Sequence, residues 1–337
     1  MKIRMKMGMR QRGSVVLACV ALLGSAASAQ AQTKWRLAGN FATEHSSSVA
    51  MNTFRDELAK ASGGALAVDV FPAMQLGGAA ENVQNVRAGT LQMIWVGMAF
   101  LSRTVPELEA ISLPFQFDGR EQAFRVVDGP VGRLLDAKFA DKGLTDLGFM
   151  ELGARHVTNS RRPVRSLEDL KGMKIRMQPN ETHLATFRAL GANPVAMDIK
   201  ELYSALQQGV VDGQENPFAV ISASRYFEVQ KFVSNTGHFF DFINVVANRR
   251  AFEALPAAQQ KMLRASMAKA IAWQRARAEA EETESVAEIK KRGMAYDEVS
   301  PQFREQMRKA SAGVVDDVKK RVGADFVNRV IAETAKK

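Results

Sequence analysis

Short apolar stretches alternate along the chain with stretches in which apolar residues recur every three or four positions. The first pattern is typical of buried strands, and the second is typical of helices that bury one face. Strands are predicted at residues 35–38, 66–71, 91–96, 147–152 and 174–177, and helices at residues 49–62, 81–88, 181–190 and 200–208. This alternation, with short connections marked by Gly, predicts an α/β architecture in layers.

Local signals mark the ends of several helices. Ser166 followed by Asp169 forms a capping signature, while Asn180 is a suitable N-cap and Gly191 a suitable stop. The stretch 256–292 is rich in Ala and in charged residues and has no helix breaker after its first residue. At 1.5 Å per residue this helix would be about 55 Å long. Because that length exceeds one small domain, we expect the helix to span two.

Two helix–Gly–strand units match each other at a constant offset of 120 positions. The matching pairs are Glu81 and Glu201, Val83 and Tyr203, Val86 and Leu206, Gly89 and Gly209, and Leu91 and Val211. Chance similarity between amphipathic helices is the alternative explanation. A true repeat predicts two similar α/β lobes. Because ligands bind at the carboxyl ends of strands in such sheets, residues 95–98 and 215–218 are expected to face each other across a cleft.

The N-terminal residues account for half of the net charge, which is +10 from 46 basic and 36 acidic residues. Five basic residues and no acid lie within 1–13, followed by an apolar run at 14–23 and small residues up to Ala31. This order predicts a secretory signal peptide, cleaved after Ala29 or Ala31, and export to the periplasm. Cleavage would leave a charge of +10 − 5 = +5 and would remove the only cysteine, Cys19.

The N-terminus has two other possible interpretations. An uncleaved membrane anchor is disfavoured because the apolar run is shorter than the ~20 residues that a spanning helix needs. Attachment of a lipid at Cys19 is also disfavoured, since the apolar stretch ahead of it is too short. We expect a soluble exported protein that is stabilised by its own core, without disulfides.

No common catalytic motif for acyl transfer, zinc proteolysis, phosphate binding or dinucleotide binding occurs in the sequence. The histidines are scattered, without partners at metal-ligand spacing, at His45, His156, His183 and His238. We therefore predict no catalytic residue, no metal and no cofactor. Nucleic acid is not an expected partner either, because basic and acidic residues are interspersed and the densest basic cluster, at 155–165, is short.

Two stretches are rich in motifs. They contain Gly153-Ala154-Arg155, the segment from Ser166 to Gly172, Lys174-Ile175-Arg176, the segment from Glu201 to Gln207, and the segment from Gly209 to Pro217. Together these stretches resemble the solute-binding proteins of tripartite ATP-independent periplasmic (TRAP) transporters, the DctP-type family. The resemblance extends to Gln75-Leu76-Gly77 and to residues 106–115 and 227–231.

The resemblance implies a two-lobed periplasmic-binding-protein fold, type II-like, with the long helix spanning both lobes. Lobe I is expected to comprise residues 32–152 and 242–281, and lobe II residues 153–241 and 282–337. The implied function is an extracytoplasmic receptor that binds a small organic carboxylate and delivers it to an ion-driven TRAP membrane permease. A monomer is expected.

Arg176 ends an otherwise apolar strand, where burial of its charge is costly unless an anion is present. A guanidinium binds a carboxylate through two parallel hydrogen bonds, which Lys cannot reproduce. The resemblance implies that Arg176 holds the substrate carboxylate and that Arg155 assists. The alternatives are an ion pair of Arg176 with Asp169 or Asp198, and a surface position for Arg155.

Four further residues are expected in the site. Asn216 precedes Pro217, which favours an extended conformation and leaves its amide free to donate and accept. The resemblance implies ligand contacts for Asn216 and for Asn40, although Asn40 could simply form a turn. Trp95 and Phe218 could supply apolar walls or belong to the core.

Departures from the family pattern bear on the ligand. The resemblance implies that sialic acid receptors place acids where this chain has Gly78 and Gly97, and a bulky aromatic residue where it has Ile199. Sialic acid is therefore not expected, and the ligand is predicted to be a hydroxy, keto, aromatic or sugar acid. Two other functions remain open at this point, namely a ligand-sensing receptor for a signalling partner and an exported enzyme on the same scaffold.

Overall fold

The computed structural model describes residues 32–336. The strands are β1 (Thr33–Gly39), β2 (Leu66–Phe71), β3 (Met93–Gly97), β4 (Leu144–Ala154), β5 (His156–Asn159), β6 (Lys174–Met177), β7 (Asn193–Ala196), β8 (Gly213–Asn216), β9 (Phe232–Ser234), β10 (Phe240–Asn248) and β11 (Ala295–Asp297). The helices are α1 (Ser46–Ala61), α2 (Ala79–Ala88), α3 (Arg120–Val127), α4 (Pro130–Asp141), α5 (Leu167–Leu170), α6 (Glu181–Ala189), α7 (Ile199–Gln207), α8 (Phe218–Ala223), α9 (Arg249–Glu253), α10 (Ala257–Lys291), α11 (Pro301–Ala310), α12 (Val314–Val322) and α13 (Ala324–Ala335).

The strands form two sheets, one in each lobe. The sheet of lobe I has the order β2-β1-β3-β10-β4, and the sheet of lobe II has the order β11-β9-β5-β8-β6-β7. In lobe I, β1 is parallel to β2 and β3, and β10 is antiparallel to β3. In lobe II, β6 is parallel to β7 and β8, and β5 is antiparallel to β8. The two sheets therefore share the same pattern of parallel and antiparallel neighbouring strands.

The repeat in the sequence coincides with this duplication. Helix α2 and strand β3 in lobe I correspond to α7 and β8 in lobe II, at the offset of 120 positions found in the sequence. Gly89 follows α2 with a φ of 80°, and Gly209 follows α7 with a φ of 69°. Glycine adopts this left-handed conformation without the steric penalty of a side chain. Helix α2 therefore ends at the predicted residue, and α7 ends one residue before the predicted end.

The predicted long helix is confirmed as α10. Its 35 residues correspond to about 52 Å at 1.5 Å per residue. It packs against α1 and β4 in lobe I and against α8 in lobe II. Buried residues such as Leu263, Met267 and Ile289 join it to an apolar cluster that contains side chains of both lobes. The helix therefore spans the two lobes, as expected.

The C-terminal helices divide between the lobes. Phe303 and Met307 of α11 lie in the apolar cluster of lobe II. Val314 of α12 and Val327 of α13 instead lie in the apolar cluster of lobe I. The sequence places all of 282–337 in lobe II, and the packing of α12 and α13 differs from that expectation. An amphipathic helix shows which of its faces is buried but not against which lobe.

No helix within residues 32–336 is long and apolar enough to cross a membrane. The predicted signal peptide, its two cleavage sites and Cys19 lie outside the described residues.

Candidate ligand-binding site

A cleft of about 550 Å³ separates the carboxyl ends of the strands in the two lobes. It is lined from lobe I by Asn40, Ala42, Ala73 and Met74, and from lobe II by Ile199, Lys200, Tyr203, Ser224, Arg225, Tyr226 and Glu228. In α/β sheets the strand ends are the usual ligand-binding edge. The two segments predicted to face a cleft, 95–98 and 215–218, lie at the carboxyl ends of β3 and β8, but their residues are not among those that line this cleft.

Arg176 is fully buried at the cleft end of β6. Its Nε and Nη2 donate to the carbonyl of Met197 at 2.9 and 2.7 Å, while its Nη1 has no partner in the part of the chain that the structure describes. Among residues 32–336 no carboxylate forms an ion pair with it. Burial lowers the pKa of its guanidinium to about 10, which still leaves the group charged at neutral pH. The arrangement is a buried cation with a donor available for an anion.

The two acids considered as alternative partners of Arg176 are used elsewhere. Asp169 and Ser166 form the predicted capping box of α5. Asp198 accepts hydrogen bonds from backbone N–H groups at the starts of two helices.

Arg155 is also fully buried but, unlike Arg176, it is paired. Its Nε and Nη2 donate to the two carboxylate oxygens of Glu215, with an Nη2–Oε1 distance of 2.7 Å. Its Nη1 donates to Asp241 at 3.1 Å. Burial opposes ionisation of Glu215, but the charge of Arg155 and the hydrogen bond from His238 outweigh it, so the pKa of Glu215 lies well below its ordinary value. Arg155 is therefore not a surface charge, and its direct contact with ligand stays a prediction.

Asn216 is held in a hydrogen-bonded chain beside Arg155. Its Oδ1 accepts from Arg155 Nη2 at 3.1 Å, and its Nδ2 donates to Gln214. Gln214 in turn donates to Thr158 at 2.9 Å. Gln214 lies opposite Arg176 in the β6–β8 ladder, and Asn216 lies two residues further along the same face. The structure thus brings Arg155, Arg176 and Asn216 to one edge of the lobe II sheet.

Asn40 directly follows β1, and Trp95 lies in the middle of β3, both in lobe I. Both are buried, and Asn40 Oδ1 and Trp95 Nε1 have no hydrogen-bond partner within residues 32–336. Gly39 lies opposite Trp95 in the sheet, and a Cβ atom at Gly39 would lie 2.2 Å from Trp95 Cε2. Glycine at this position lets the indole ring lie directly on the backbone next to Asn40.

Phe218 begins α8 and is buried. Its ring stacks on His156, with centroids 3.9 Å apart and an angle of 13° between the planes. Phe218 and Trp95 belong to the same apolar cluster, to which both lobes contribute. Both side chains are therefore core residues beside the cleft, and their contact with ligand stays a prediction.

Three features of the site could not be predicted from the sequence. Arg176 donates to the backbone carbonyl of Met197, and a backbone contact of this kind leaves no pattern in the sequence. Tyr226 is buried, lines the cleft and lies within electrostatic range of Arg176, and burial raises the pKa of its phenol. The pairing of Arg155 with Asp241 joins residues 86 positions apart. For Tyr226, the sequence offers only its closeness along the chain to the predicted site residue Asn216, ten positions earlier.

Comparison with known proteins identifies relatives of this chain. The model of the bacterial extracellular solute-binding protein family 7 matches residues 37–321, which include all six predicted site residues. The 2,3-diketo-L-gulonate-binding periplasmic protein YiaO of Escherichia coli (strain K12) is 37% identical over 227 residues, which are 67% of this chain and 69% of that protein.

Solved structures agree in overall fold. The sugar acid binding protein DctPAm from Advenella mimigardefordensis, in complex with galactonate, is similar with a TM-score of 0.88 at 29% identity, covering 90% of this chain and 98% of that one. A TRAP periplasmic solute binding protein from Polaromonas sp. JS666, bound to D-erythronate, is similar with a TM-score of 0.86 at 34% identity, covering 90% of this chain and 100% of that one.

Proposed function

The chain belongs to the bacterial extracellular solute-binding protein family 7, the DctP-type solute-binding proteins of TRAP transporters, and we propose that Arg176 binds the carboxylate of its ligand. The resemblance and the two-lobed fold expected from the sequence are both confirmed. The protein is a receptor that binds a small organic carboxylate for delivery to a TRAP-type membrane permease. Its family is one of solute receptors and not of enzymes.

One observation carries the proposal for Arg176. A fully buried guanidinium without an ion-pair partner among residues 32–336 has its Nη1 unsatisfied at the cleft end of a strand. Such an arrangement is costly for the ligand-free protein, because buried charges are normally paired. A carboxylate would supply both the missing charge and the missing acceptor, and a charge-assisted hydrogen bond is among the stronger ones that proteins form.

The other site residues support this contact in different ways. We propose that Asn216 donates to the same carboxylate and that Arg155 holds the amide of Asn216 in position, since Arg155 Nη2 lies 3.1 Å from its Oδ1. From lobe I, Asn40 Oδ1 and Trp95 Nε1 offer one acceptor and one donor that have no partner among the described residues. Phe218 packs in the apolar cluster that also contains Trp95.

The ligand is proposed to be a hydroxy, keto or sugar acid. A neutral acceptor and a neutral donor in lobe I suit hydroxyl or carbonyl groups of the ligand, because buried polar groups are normally hydrogen-bonded. The relatives support this choice, since YiaO is named for 2,3-diketo-L-gulonate and the two similar structures hold galactonate and D-erythronate. An aromatic acid, included in the sequence prediction, would leave both polar atoms unpaired.

We further propose that residues 1–31 are a signal peptide that directs the protein to the periplasm, and that the mature chain acts as a monomer. The basic start, apolar run and small residues before Ala31 support the first proposal. Mass spectrometry of the protein recovered from the periplasm would show an N-terminus at Gln30 or Gln32. An intact N-terminus in the periplasmic fraction would contradict it.

A thermal-shift screen tests the ligand assignment. The panel contains hydroxy, keto, aromatic and sugar acids, galactonate and D-erythronate included, each with its uncharged amide as a control. Occupancy at 100 times the Kd stabilises the folded state by about 2.7 kcal/mol. We expect shifts from acids and not from amides. Equal shifts from an acid and its amide, or no shift from any acid, would contradict the carboxylate site.

A further inference from the structure

The carboxylate of Asp198 joins the two lobes. Its Oδ1 accepts from the backbone N–H of Lys200 at 3.0 Å, as the N-cap of α7 in lobe II. Its Oδ2 accepts from the backbone N–H of Ala80 at 2.9 Å, in the first turn of α2 in lobe I. Helix α2 has Gly78 at its N-cap position, without a side-chain cap of its own. One carboxylate therefore caps two helices that belong to different lobes.

Two helix N-termini directed at one carboxylate form a favourable electrostatic arrangement. The first N–H groups of a helix lack partners within the helix, and the helix dipole places partial positive charge at this end. The approach depends on glycine at position 78, because a Cβ atom there would lie 2.9 Å from each carboxylate oxygen of Asp198. The contact between the lobes thus requires both Asp198 and Gly78.

The residue before Asp198 is the anchor of Arg176. The Met197 carbonyl accepts from Nε and Nη2 of Arg176 at 2.9 and 2.7 Å. The Met197 N–H donates to the Met177 carbonyl at 3.2 Å, which ties the same segment to the end of β6. A single peptide unit therefore separates the bridge between the lobes from the group that orients the guanidinium.

We propose that Asp198 is a positioning residue that couples closure of the lobes to the orientation of Arg176. The proposal rests on the carboxylate-binding function assigned above to Arg176. With the lobes apart, Asp198 caps α7 alone. When they close, the N-terminus of α2 becomes its second partner and fixes the 197–199 segment, so that the Met197 carbonyl holds Arg176 in its ligand-binding orientation. Closure and carboxylate binding then stabilise each other.

An N-cap without this coupling is the simplest other role for Asp198. The two roles predict different effects of conservative substitutions on ligand binding. Asn is as good an N-cap as Asp, so Asp198→Asn retains the cap of α7 but removes the charge shared with α2. Gly78→Ala leaves Asp198 and α7 unchanged and obstructs the approach from the other lobe. A plain N-cap role predicts no effect of Gly78→Ala on ligand binding.

The test measures association and dissociation rates by stopped-flow fluorescence for the wild type, Asp198→Asn, Gly78→Ala and the double variant. The probe is the acid that binds most tightly in the panel above. We expect each single variant to raise the dissociation rate on the order of 10-fold, with the association rate unchanged. The double variant should be no worse than either single variant, because both remove the same contact. Gly119→Ala is the control, since a Cβ there contacts nothing within 4 Å.

A second measurement separates positioning from stability. Melting of the ligand-free variants should match the wild type, while X-ray scattering of the ligand-saturated variants should show a larger radius of gyration. Unchanged dissociation rates, or effects that add in the double variant, would overturn the coupling and leave the carboxylate site intact. Failure of the wild type to bind any acid of the panel would overturn both.

Discussion

Replacing Arg155 by Met should destabilise the ligand-free protein far more than replacing Arg176 by Met, although both arginines are fully buried. The difference follows from their partners. Arg155 pairs with Glu215 and Asp241, which are themselves buried, whereas Arg176 donates only to a backbone carbonyl and has one nitrogen without a partner among residues 32–336.

The expected loss of stability depends on the buried groups that lose their partner when each arginine is replaced. Without Arg155, two carboxylates remain in the interior without a guanidinium. Glu215 keeps His238 at 3.2 Å, and Asp241 keeps hydrogen bonds from Gln178 Nε2 at 3.0 Å and from the backbone N–H of Phe242 at 2.8 Å. Breaking a buried ion pair by removing one partner costs about 3–5 kcal/mol. Without Arg176, the Met197 carbonyl loses two hydrogen bonds, but a buried unpaired charge also disappears. Each of these opposing effects is of the order of 1–3 kcal/mol, so the net change should lie within about 2 kcal/mol of zero.

The assay is equilibrium unfolding in urea of ligand-free protein, followed by circular dichroism and by tryptophan fluorescence. Arg155→Met should lower the midpoint strongly and Arg176→Met only slightly. Adding Glu215→Leu to Arg155→Met should recover part of the loss, because one of the uncompensated charges is then removed. Equal losses from the two single variants, or a wild-type midpoint for Arg155→Met, would refute the assignment of Arg155 as a buried, paired charge.

Two further variants test packing and buried charge. Gly39→Ala should lower stability by about 1–3 kcal/mol by displacing the Trp95 ring, while Gly119→Ala should not; equal melting of the two variants would contradict the close packing on Trp95. Burial raises the pKa of Asp146 to about 7, so the folded state retains a proton that the unfolded state releases, and stability falls as pH rises from about 4 to 7. Asp146→Asn should therefore gain about 1.4 kcal/mol per pH unit relative to wild type across that range, measured by urea unfolding at several pH values; a pH-independent difference would contradict the raised pKa.

Features encoded by neighbouring residues could be predicted from the sequence. Strands β2 and β6 have the predicted bounds, and Asn180 and Ser166 cap the predicted helices. The repeat around Gly89 and Gly209 was visible because both units use the same local signals, an amphipathic helix and a left-handed stop. Such signals act within a few positions and need no knowledge of the rest of the fold.

Features that depend on distant contacts could not be predicted. Arg155 was expected at the ligand, but whether its donors are free depends on Asp241, 86 positions away. Asp198 was considered only as a partner of Arg176, and its contact with Ala80 spans 118 positions. Helices α12 and α13 show the same limit, since their apolar faces suit either lobe. Each outcome depends on which surfaces meet in the folded chain.

The most direct test of the central claim is calorimetric titration of the acid that binds most tightly in the panel into folded wild-type and Arg176→Ala protein. If Arg176 holds the carboxylate, the variant should bind more weakly by about 2–5 kcal/mol. Circular dichroism confirms that the variant is folded. An unchanged Kd in the folded variant would contradict the account.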